Sequence, residues 1–273
     1  MGENKDKSFS GRKVFFINPN LAVENSLITR LQTMKYEVYA IKDYRTAKNL
    51  FAKIKDGICF ISPDSVLDKN GWRNFIKYFE NDGTYKDFDF GVVSEMIPEN
   101  KKEEFIKDLK LAAGFFSTLG NEDTVRNLVK SLDKLGAKGM RKYIRVSCLG
   151  DTKSELYWFT KDKKMFRCKL IDLSTAGIAA KLPLSQAKAV FINQLISDAT
   201  LVLAGKQLPV CVKVSGIKAA NDVLLVIMMY GMDTPVSTQN QIRSYVNEKL
   251  KLDLERQMKD LAPDKTKYGA GEK

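Results

Sequence analysis

Two arginines four positions apart, and a short acidic, serine and glycine segment downstream of them, are the residues best suited to bind an anion. Arg141 and Arg145 form an RxxxR pattern, and Asp172, Ser174 and Gly177 form a DxSxxG pattern. A guanidinium group pairs with phosphate, offers a planar fork of donors to the O6 and N7 acceptors of guanine, and stacks on a base. A carboxylate accepts from the N1–H and N2–H₂ of guanine, which adenine lacks. The pattern therefore suits a ligand with guanine and phosphate groups.

Each of these residues also has an ordinary structural interpretation. The two arginines would be solvated if their segment were only a basic linker. Asp172 and Ser174 could cap a turn, because Asp-x-Ser is favourable turn chemistry. Ser174 could instead hydrogen-bond a base or a phosphate. Gly177 would allow close backbone approach or a backbone angle that a side chain forbids. We regard Lys138 and Lys142 as accessory cations.

The charge distribution agrees with an anionic ligand. The formal net charge is +12, and residues 138–169 contain ten Lys or Arg against three Asp or Glu, an excess of seven. Such an excess attracts anions to this region. Four aromatic residues interleave with it, and the strand pattern predicts that they belong to a core rather than to a stacking platform; they are Tyr157, Trp158, Phe159 and Phe166.

The sequence offers little for catalysis or metal binding. It has no histidine, and its four cysteines form no CxxC pair. Histidine-based nucleophile activation is therefore excluded, and a zinc site is not expected. We predict a protein that is not an enzyme and has neither a metal nor a cofactor.

Residues 1–135 are predicted to form an α/β domain. Short apolar runs alternate with helical stripes five times, which is typical of a parallel sheet with helices on both faces. The pattern resembles the receiver domain of response regulators. Polar but non-acidic residues stand where a receiver needs its first acids, its phosphorylated aspartate and its lysine, so we predict a degenerate receiver-like scaffold without a magnesium site; they are Asn18, Ser62 and Ser117.

The periodicity changes after the glycines at 136 and 139, so residues 136–140 are predicted to be a hinge. From Tyr143 to Tyr230, short strands follow one another and predict an antiparallel β-barrel. Residues 184–195 could be a helix inserted into it. A helical stripe from Ile242 to Leu261 then predicts a terminal helix, which gives a second domain over 141–262. We expect residues 263–273 to be a frayed tail.

The two motifs, in this order and inside a run of strands, resemble the signature of the PilZ family over about residues 139–232. The resemblance implies that the ligand is cyclic di-GMP, a bacterial second messenger, bound by Arg141, Arg145, Asp172, Ser174 and Gly177. It also implies a signal receptor that acts on motility, adhesion or virulence through a downstream protein partner. The sequence departs from the family at Met140, where some members carry a further arginine.

Two other functions stay open at this stage. The net charge is also compatible with a sequence-indifferent nucleic-acid-binding protein, although we regard a nucleic-acid partner as unlikely. The barrel could also be a PilZ scaffold that binds only protein. The first residues carry no signal-peptide pattern, and the longest apolar run, Val223–Met232, is too short to span a bilayer. We therefore predict a soluble cytoplasmic protein.

Overall fold

The computed structural model describes residues 11–97, 99–117, 122–139, 143–259 and 261–268. The chain divides into two compact units. Unit 1 contains the described residues before position 142 and those from Asp253 onward, and unit 2 is Tyr143–Leu252.

Unit 1 is built on a parallel sheet. Its strands are β1 (Val14–Ile17), β2 (Val38–Ile41), β3 (Gly57–Ile61), β4 (Phe88–Ser94) and β5 (Gly114–Ser117). They lie in the order β2-β1-β3-β4-β5, and every neighbouring pair is parallel. This is the doubly wound order in which the direction of winding reverses between β1 and β3.

Helices cover both faces of this sheet. They are α1 (Thr29–Thr33), which continues a π-helical segment Val23–Ile28, then α2 (Ala47–Ile54), α3 (Lys69–Asn81), α4 (Lys102–Ile106) and α5 (Glu122–Lys134). Successive side chains of a strand point to opposite faces. Phe16 accordingly packs in the same core cluster as Leu31 of α1 and Leu128 of α5, whereas Phe15 contacts Phe51 of α2, with the ring centroids 5.2 Å apart.

A single guanidinium group joins several elements at the amino-terminal edge of the sheet. Arg12 forms ion pairs with Asp56 at 2.7 Å and Asp89 at 2.5 Å. It also donates to the carbonyl oxygens of Gly57, Asp87 and Leu135. Five acceptors around one planar group satisfy its donors fully, so the side chain can be partly buried without an unpaired charge.

Unit 2 is an antiparallel barrel. Its strands are β6 (Arg145–Ser147), β7 (Glu155–Phe159), β8 (Met165–Ser174), β9 (Gly177–Pro183), β10 (Leu195–Leu203), β11 (Lys206–Ala220) and β12 (Val223–Tyr230). Six of them close in the order β8-β7-β10-β11-β12-β9, because β8 also pairs with β9. The short β6 adds to the last residues of β8.

The barrel interior is apolar and continuous. Trp158 of β7 stacks on Phe166 of β8, with the ring centroids 5.7 Å apart, and both are buried in the cluster that fills the barrel. Of the aromatic residues expected in the core, Phe159 is instead exposed, and Tyr157 is half-buried. Strand alternation explains the difference, since alternate residues of β7 face outward.

The predicted fold class is confirmed: a receiver-like parallel sheet is followed by an antiparallel barrel with a terminal helix. Two local expectations change. Residues 184–195 contain only a short 3₁₀ segment, Leu184–Ala189, before β10 begins at Leu195. The strand predicted to start at Leu201 thus starts six residues earlier. The sequence pattern did not show this first part, because the exposed polar residues at 197 and 198 interrupt the apolar run.

The terminal helix, α6 (Val236–Lys259), begins in unit 2, and its residues from Asp253 belong to unit 1. Ile242 and Val246 lie in the barrel core. The prediction of a frayed tail is wrong for residues 263–268, because Tyr268 is only 5% exposed and packs on Phe75 within unit 1. No helix among the described residues is long and apolar enough to cross a membrane.

Candidate ligand site on the barrel

Arg145 is placed by the pairing of β6 with β8. Arg145 lies opposite Ser174, and Ser147 lies opposite Asp172. The side chain of Val146 between them is buried, so Arg145 and Ser147 face outward. The guanidinium of Arg145 is 44% exposed, and its Nη1 is 3.7 Å from Oδ2 of Asp172. The second arginine of the RxxxR motif thus lies next to Asp172, the first residue of the DxSxxG motif.

Asp172 faces outward because β8 contains a bulge. Leu170 pairs with Ala180, and Asp172 pairs with the next residue of β9, Ala179, so Ile171 is an additional residue without a partner on β9. If Ile171 instead took a regular place in the ladder, the alternation that buries Phe166, Cys168 and Leu170 would turn Asp172 inward. With it, Leu173 is buried and the carboxylate of Asp172 is 29% exposed.

Ser174 shapes the turn between β8 and β9. Its Oγ accepts from the backbone N–H of Ala176 and of Gly177, both at 3.2 Å, and donates to the carbonyl oxygen of Gly177 at 3.1 Å. The residue is 6% exposed. Of the two interpretations of Ser174, the structure supports the turn, because the hydroxyl already has partners for donation and acceptance.

Gly177 is required by the close approach of β9 to β12. It lies opposite Met229, and a Cβ atom at this position would be 2.2 Å from the carbonyl oxygen of Met228. The clash would be with backbone, which a rotamer change cannot relieve. Close backbone approach is therefore the reason for this glycine, rather than an unusual backbone angle.

Two lysines that sequence reasoning did not assign to the site lie on the same outer surface. Lys169 of β8 and Lys181 of β9 face each other directly across the strand pair, and both are exposed. Ala179, two residues along β9 from Lys181, lies opposite Asp172. Like charges at directly opposed positions repel each other, and an anion between them would relieve the repulsion. Lys181 could be assigned to the surface that carries Asp172 only from the strand register, because the two residues are nine positions apart in the sequence.

The floor of this surface is small and partly apolar. Ala179 pairs on its other side with Ile227 of β12, and the neighbouring Met229 lies opposite Gly177. Ile227 and Met229 are exposed. The strip thus combines a carboxylate, cations and apolar surface, a combination that suits a flat aromatic base joined to a phosphate.

Arg141, Lys142 and Lys138 are the remaining residues predicted for the site. Arg141 and Lys142, together with Met140, lie outside the described residues. Lys138 is described in unit 1, where its Nζ is 3.6 Å from Asp133 and lies over the ring of Tyr36, 4.4 Å from its centroid. Lys138 thus already has local partners in unit 1.

The carboxyl-terminal edge of the sheet in unit 1 is occupied by internal hydrogen bonds. The carboxylate of Asp64 accepts from the backbone N–H of Glu95 at 2.9 Å and from the hydroxyl of Ser94. Asn18, after β1, donates to the carbonyl oxygens of Ser62 and Ser65 at 3.2 Å. Among the residues that the structure describes, no three Cys, Asp or Glu side chains are grouped to hold a metal ion. The edge is held together by the carboxylate of Asp64 and by amide and hydroxyl groups.

No family model matches the chain, and no curated protein is similar to it. Among solved structures, the chain is similar to the K. pneumonia MrkH–c-di-GMP complex (16% identity, TM-score 0.39, 44% of this chain and 55% of that chain). It is also similar to the PilZ domain of YcgR from Escherichia coli with c-di-GMP (12%, 0.37, 44% and 98%). A third similar structure is the chemotaxis response regulator CheY4 of Vibrio cholerae (19%, 0.38, 46% and 99%).

The similarity to MrkH therefore spans about half of that protein. The kinds of domain that the sequence resembles, PilZ and response regulator, are both found among the similar structures. The fold of each unit is defined here by its own strand order and pairing.

Proposed function

We propose that this chain is a cytoplasmic receptor for cyclic di-GMP, which binds on the outer face of the barrel in unit 2. One observation carries the proposal. The pairing of β6 with β8 and the bulge at Ile171 bring Arg145 and Asp172 together on the exposed surface, beside the turn that Ser174 and Gly177 build.

The chemistry of this pair suits guanine. The carboxylate of Asp172 accepts from the N1–H and N2–H₂ of the base, and the guanidinium of Arg145 reaches O6 and N7 or a phosphate oxygen. Lys169 and Lys181 provide positive charge beside the carboxylate. Arg141 supplies the second guanidinium in this proposal, and Lys142 an accessory charge.

Ser174 and Gly177 act indirectly in the proposed site. The serine hydroxyl holds the turn that follows Asp172, and the glycine lets this turn lie against β12. Both residues therefore fix the position of the carboxylate. The two parts of the DxSxxG motif have different roles, one toward the ligand and one toward the barrel.

Titration calorimetry with cyclic di-GMP tests the proposal. We expect saturable binding by the wild-type chain and an affinity lower by about tenfold to a hundredfold or more for Arg145→Ala, since a charge-assisted contact contributes about 1.5–3 kcal/mol. The pair of Arg145 with Asp172 is long, at 3.7 Å, and lies at the surface with side chains 44% and 29% exposed, so its removal should cost about 1 kcal/mol of stability and the variant should stay folded.

Arg167→Ala is the matched control. Arg167 also faces outward from β8 and pairs with Glu155 of β7 at 3.5 Å. It is five residues from Asp172, which is about 17 Å along a strand. We expect its affinity to stay within about threefold of the wild type, because it removes the same charge away from the proposed contacts. Equal affinities for wild type and Arg145→Ala would remove Arg145 from the site.

Two other outcomes would favour the other functions. No heat with the wild-type chain would favour a scaffold that binds only protein. Binding that falls steeply with salt and is equal for adenine and guanine dinucleotides would favour a non-specific binder of nucleic acids. We further propose that binding acts through a downstream protein partner or a changed arrangement of the two units, without catalysis and without a cofactor.

A further inference from the structure

Within unit 1, the segment after α6 is attached to α2 and α3 although it has no regular secondary structure. The attachments are made through its backbone. The N–H of Asp264 donates to the carbonyl oxygen of Arg45 at 2.8 Å, the amide of Asn49 donates to the carbonyl oxygen of Ala262 at 2.6 Å, and the amide of Asn74 donates to the carbonyl oxygen of Tyr268 at 3.0 Å. Elements α2 and α3 and the turn before α2 thus bind the segment at both of its ends.

A socket of aromatic side chains receives the tyrosine of this segment. The ring of Tyr268 lies edge-on to Phe75 at 5.1 Å, Tyr78 at 6.1 Å and Tyr44 at 6.4 Å between centroids. Only 5% of the residue is exposed. Edge-on packing of four rings is favourable beyond the burial of their area.

Asp264 provides a polar contact next to the ring. Its side chain, 6% exposed, accepts from the hydroxyl of Tyr268 at 2.6 Å and from the N–H and Oγ1 of Thr266 at 3.0 and 2.7 Å. Lys48 of α2 is 3.7 Å from the same carboxylate. Burial alone would raise the pKa of Asp264, but the hydrogen bonds from Tyr268 and Thr266 together with the charge of Lys48 lower it overall.

We propose that the surface formed by α2 and α3 of unit 1 is a peptide-recognition site whose occupant is this chain's own segment 262–268. The recognised pattern is Asp-x-Thr-x-Tyr, in which the tyrosine fills the socket and the aspartate is held by Lys48. Exposed Lys265 and Lys267 occupy the two intervening positions. The segment is thereby a latch that fastens the end of α6 to α2 and α3. The proposal does not depend on the proposed dinucleotide ligand.

The latch should protect the segment from proteolysis. Trypsin cleaves after lysine, and cleavage at Lys265 or Lys267 requires that the bound backbone first be released. When opening is fast, the rate of cleavage reports the population of the open form. We expect Tyr268→Ala to increase the rate of cleavage at these lysines at least tenfold, measured by mass spectrometry of the full-length chain. Tyr268→Phe keeps the ring and loses the hydroxyl. Its cleavage rate should lie between the rates of the wild-type chain and of Tyr268→Ala.

The control is Phe191→Ala, which removes an exposed aromatic ring from unit 2 and should leave the rate unchanged. A cleavage rate in the wild-type chain equal to that of Tyr268→Ala would overturn the latch.

A second measurement tests recognition directly. A fluorescent peptide of residues 261–273 should bind saturably to the Tyr268→Ala chain, whose socket is empty. It should not compete at micromolar concentration in the wild-type chain, because the tethered segment has an effective concentration of order millimolar. The same peptide carrying the Tyr268→Ala substitution should bind neither the wild-type chain nor the Tyr268→Ala chain. Absence of binding of the unaltered peptide to the Tyr268→Ala chain would overturn the recognition site, and the dinucleotide titration would be unaffected by that result.

Discussion

At the scale of single residues, some side chains of the two motifs are available to a ligand, whereas others are already used in contacts within the fold. The side chains of Arg145 and Asp172 are 44% and 29% exposed, and within β6 and β8 each has the other as its charged partner. Ser174, two residues from Asp172, is buried and fully bonded within its turn. Because neighbouring positions of one motif differ so strongly, substitutions at Asp172 and Ser174 should have different effects, the first on binding and the second on stability.

The four cysteines allow a prediction at the same scale. All are buried and unpaired in disulfides. Burial, with a smaller contribution from Asp151, raises the pKa of Cys148 to about 11, and burial raises the pKa of Cys168 to about 12. The thiolate fraction falls about tenfold for each rise of one in pKa. We expect alkylation by iodoacetamide at pH 8 to be at least about a hundredfold slower in the native chain than in urea.

Mass spectrometry after timed quenching measures each thiol separately. Rapid modification of any one cysteine in the native chain would contradict the prediction.

The raised pKa values of Cys148 and Cys168 also make the stability of the protein depend on pH. The native state retains the thiol protons, so their contribution is complete below the unfolded pKa of about 8.5 and is lost as the pH rises toward 11 and 12. The free energy of unfolding should therefore decrease over this alkaline range.

At the scale of elements, the contact of β9 with β12 gives the next prediction. A Cβ at position 177 would lie 2.2 Å from the carbonyl oxygen of Met228, so Gly177→Ala forces two paired strands apart. We expect it to lower the free energy of unfolding by about 1–3 kcal/mol, as overpacking usually does. Hydrogen exchange of the barrel amides measures this loss within unit 2.

Gly216→Ala is the control for that substitution. Gly216 lies in β11 of the same barrel, and a Cβ there would have its nearest contact at 3.6 Å, on the flexible end of Ile227. Its effect should be well below that of Gly177→Ala. Similar protection factors for the wild type and Gly177→Ala would show that β9 can move away from β12 without cost.

Elements also show how far the sequence could predict this fold. The apolar run at 14–17 and its return at 58–61 predicted β1 and β3 almost to the residue, because both strands are buried on both faces and carry no polar interruption. β10 was predicted only from Leu201. Its first half, from Leu195, has an exposed polar face and is paired with β11, and this pairing is a long-range contact that a local pattern does not contain.

The candidate site was predictable in part for the same reason. The motifs named Arg145 and Asp172, and the structure places them 3.7 Å apart. Lys181 could not be assigned, since its position opposite Lys169 depends on the register of β8 and β9. The docked segment was missed because its lysines and its proline suggest solvent exposure, whereas one tyrosine and one aspartate decide its position.

At the scale of the whole molecule, the proposed receptor requires that ligand change something outside the barrel. A ligand shifts an arrangement only by its different affinity for the two states. We expect small-angle scattering of the wild-type chain to change when saturating cyclic di-GMP is added. The scattering of Arg145→Ala at the same ligand concentration should not change. Superimposable curves for the wild type with and without a ligand that calorimetry shows to be bound would argue for action through a partner alone.

The additional residue in β8 has a consequence for anyone who engineers this protein. Side chains of β8 alternate between the interior and the outer face, and the extra residue Ile171 shifts this alternation by one position just before Asp172. Deleting Ile171 would make the pairing of β8 with β9 regular and leave Asp172 facing outward, whereas inserting one residue elsewhere in β8 would move inward side chains to the outer face. Labels and insertions therefore belong in the exposed turn at 161–164, which precedes β8 and so does not affect the alternation of its side chains.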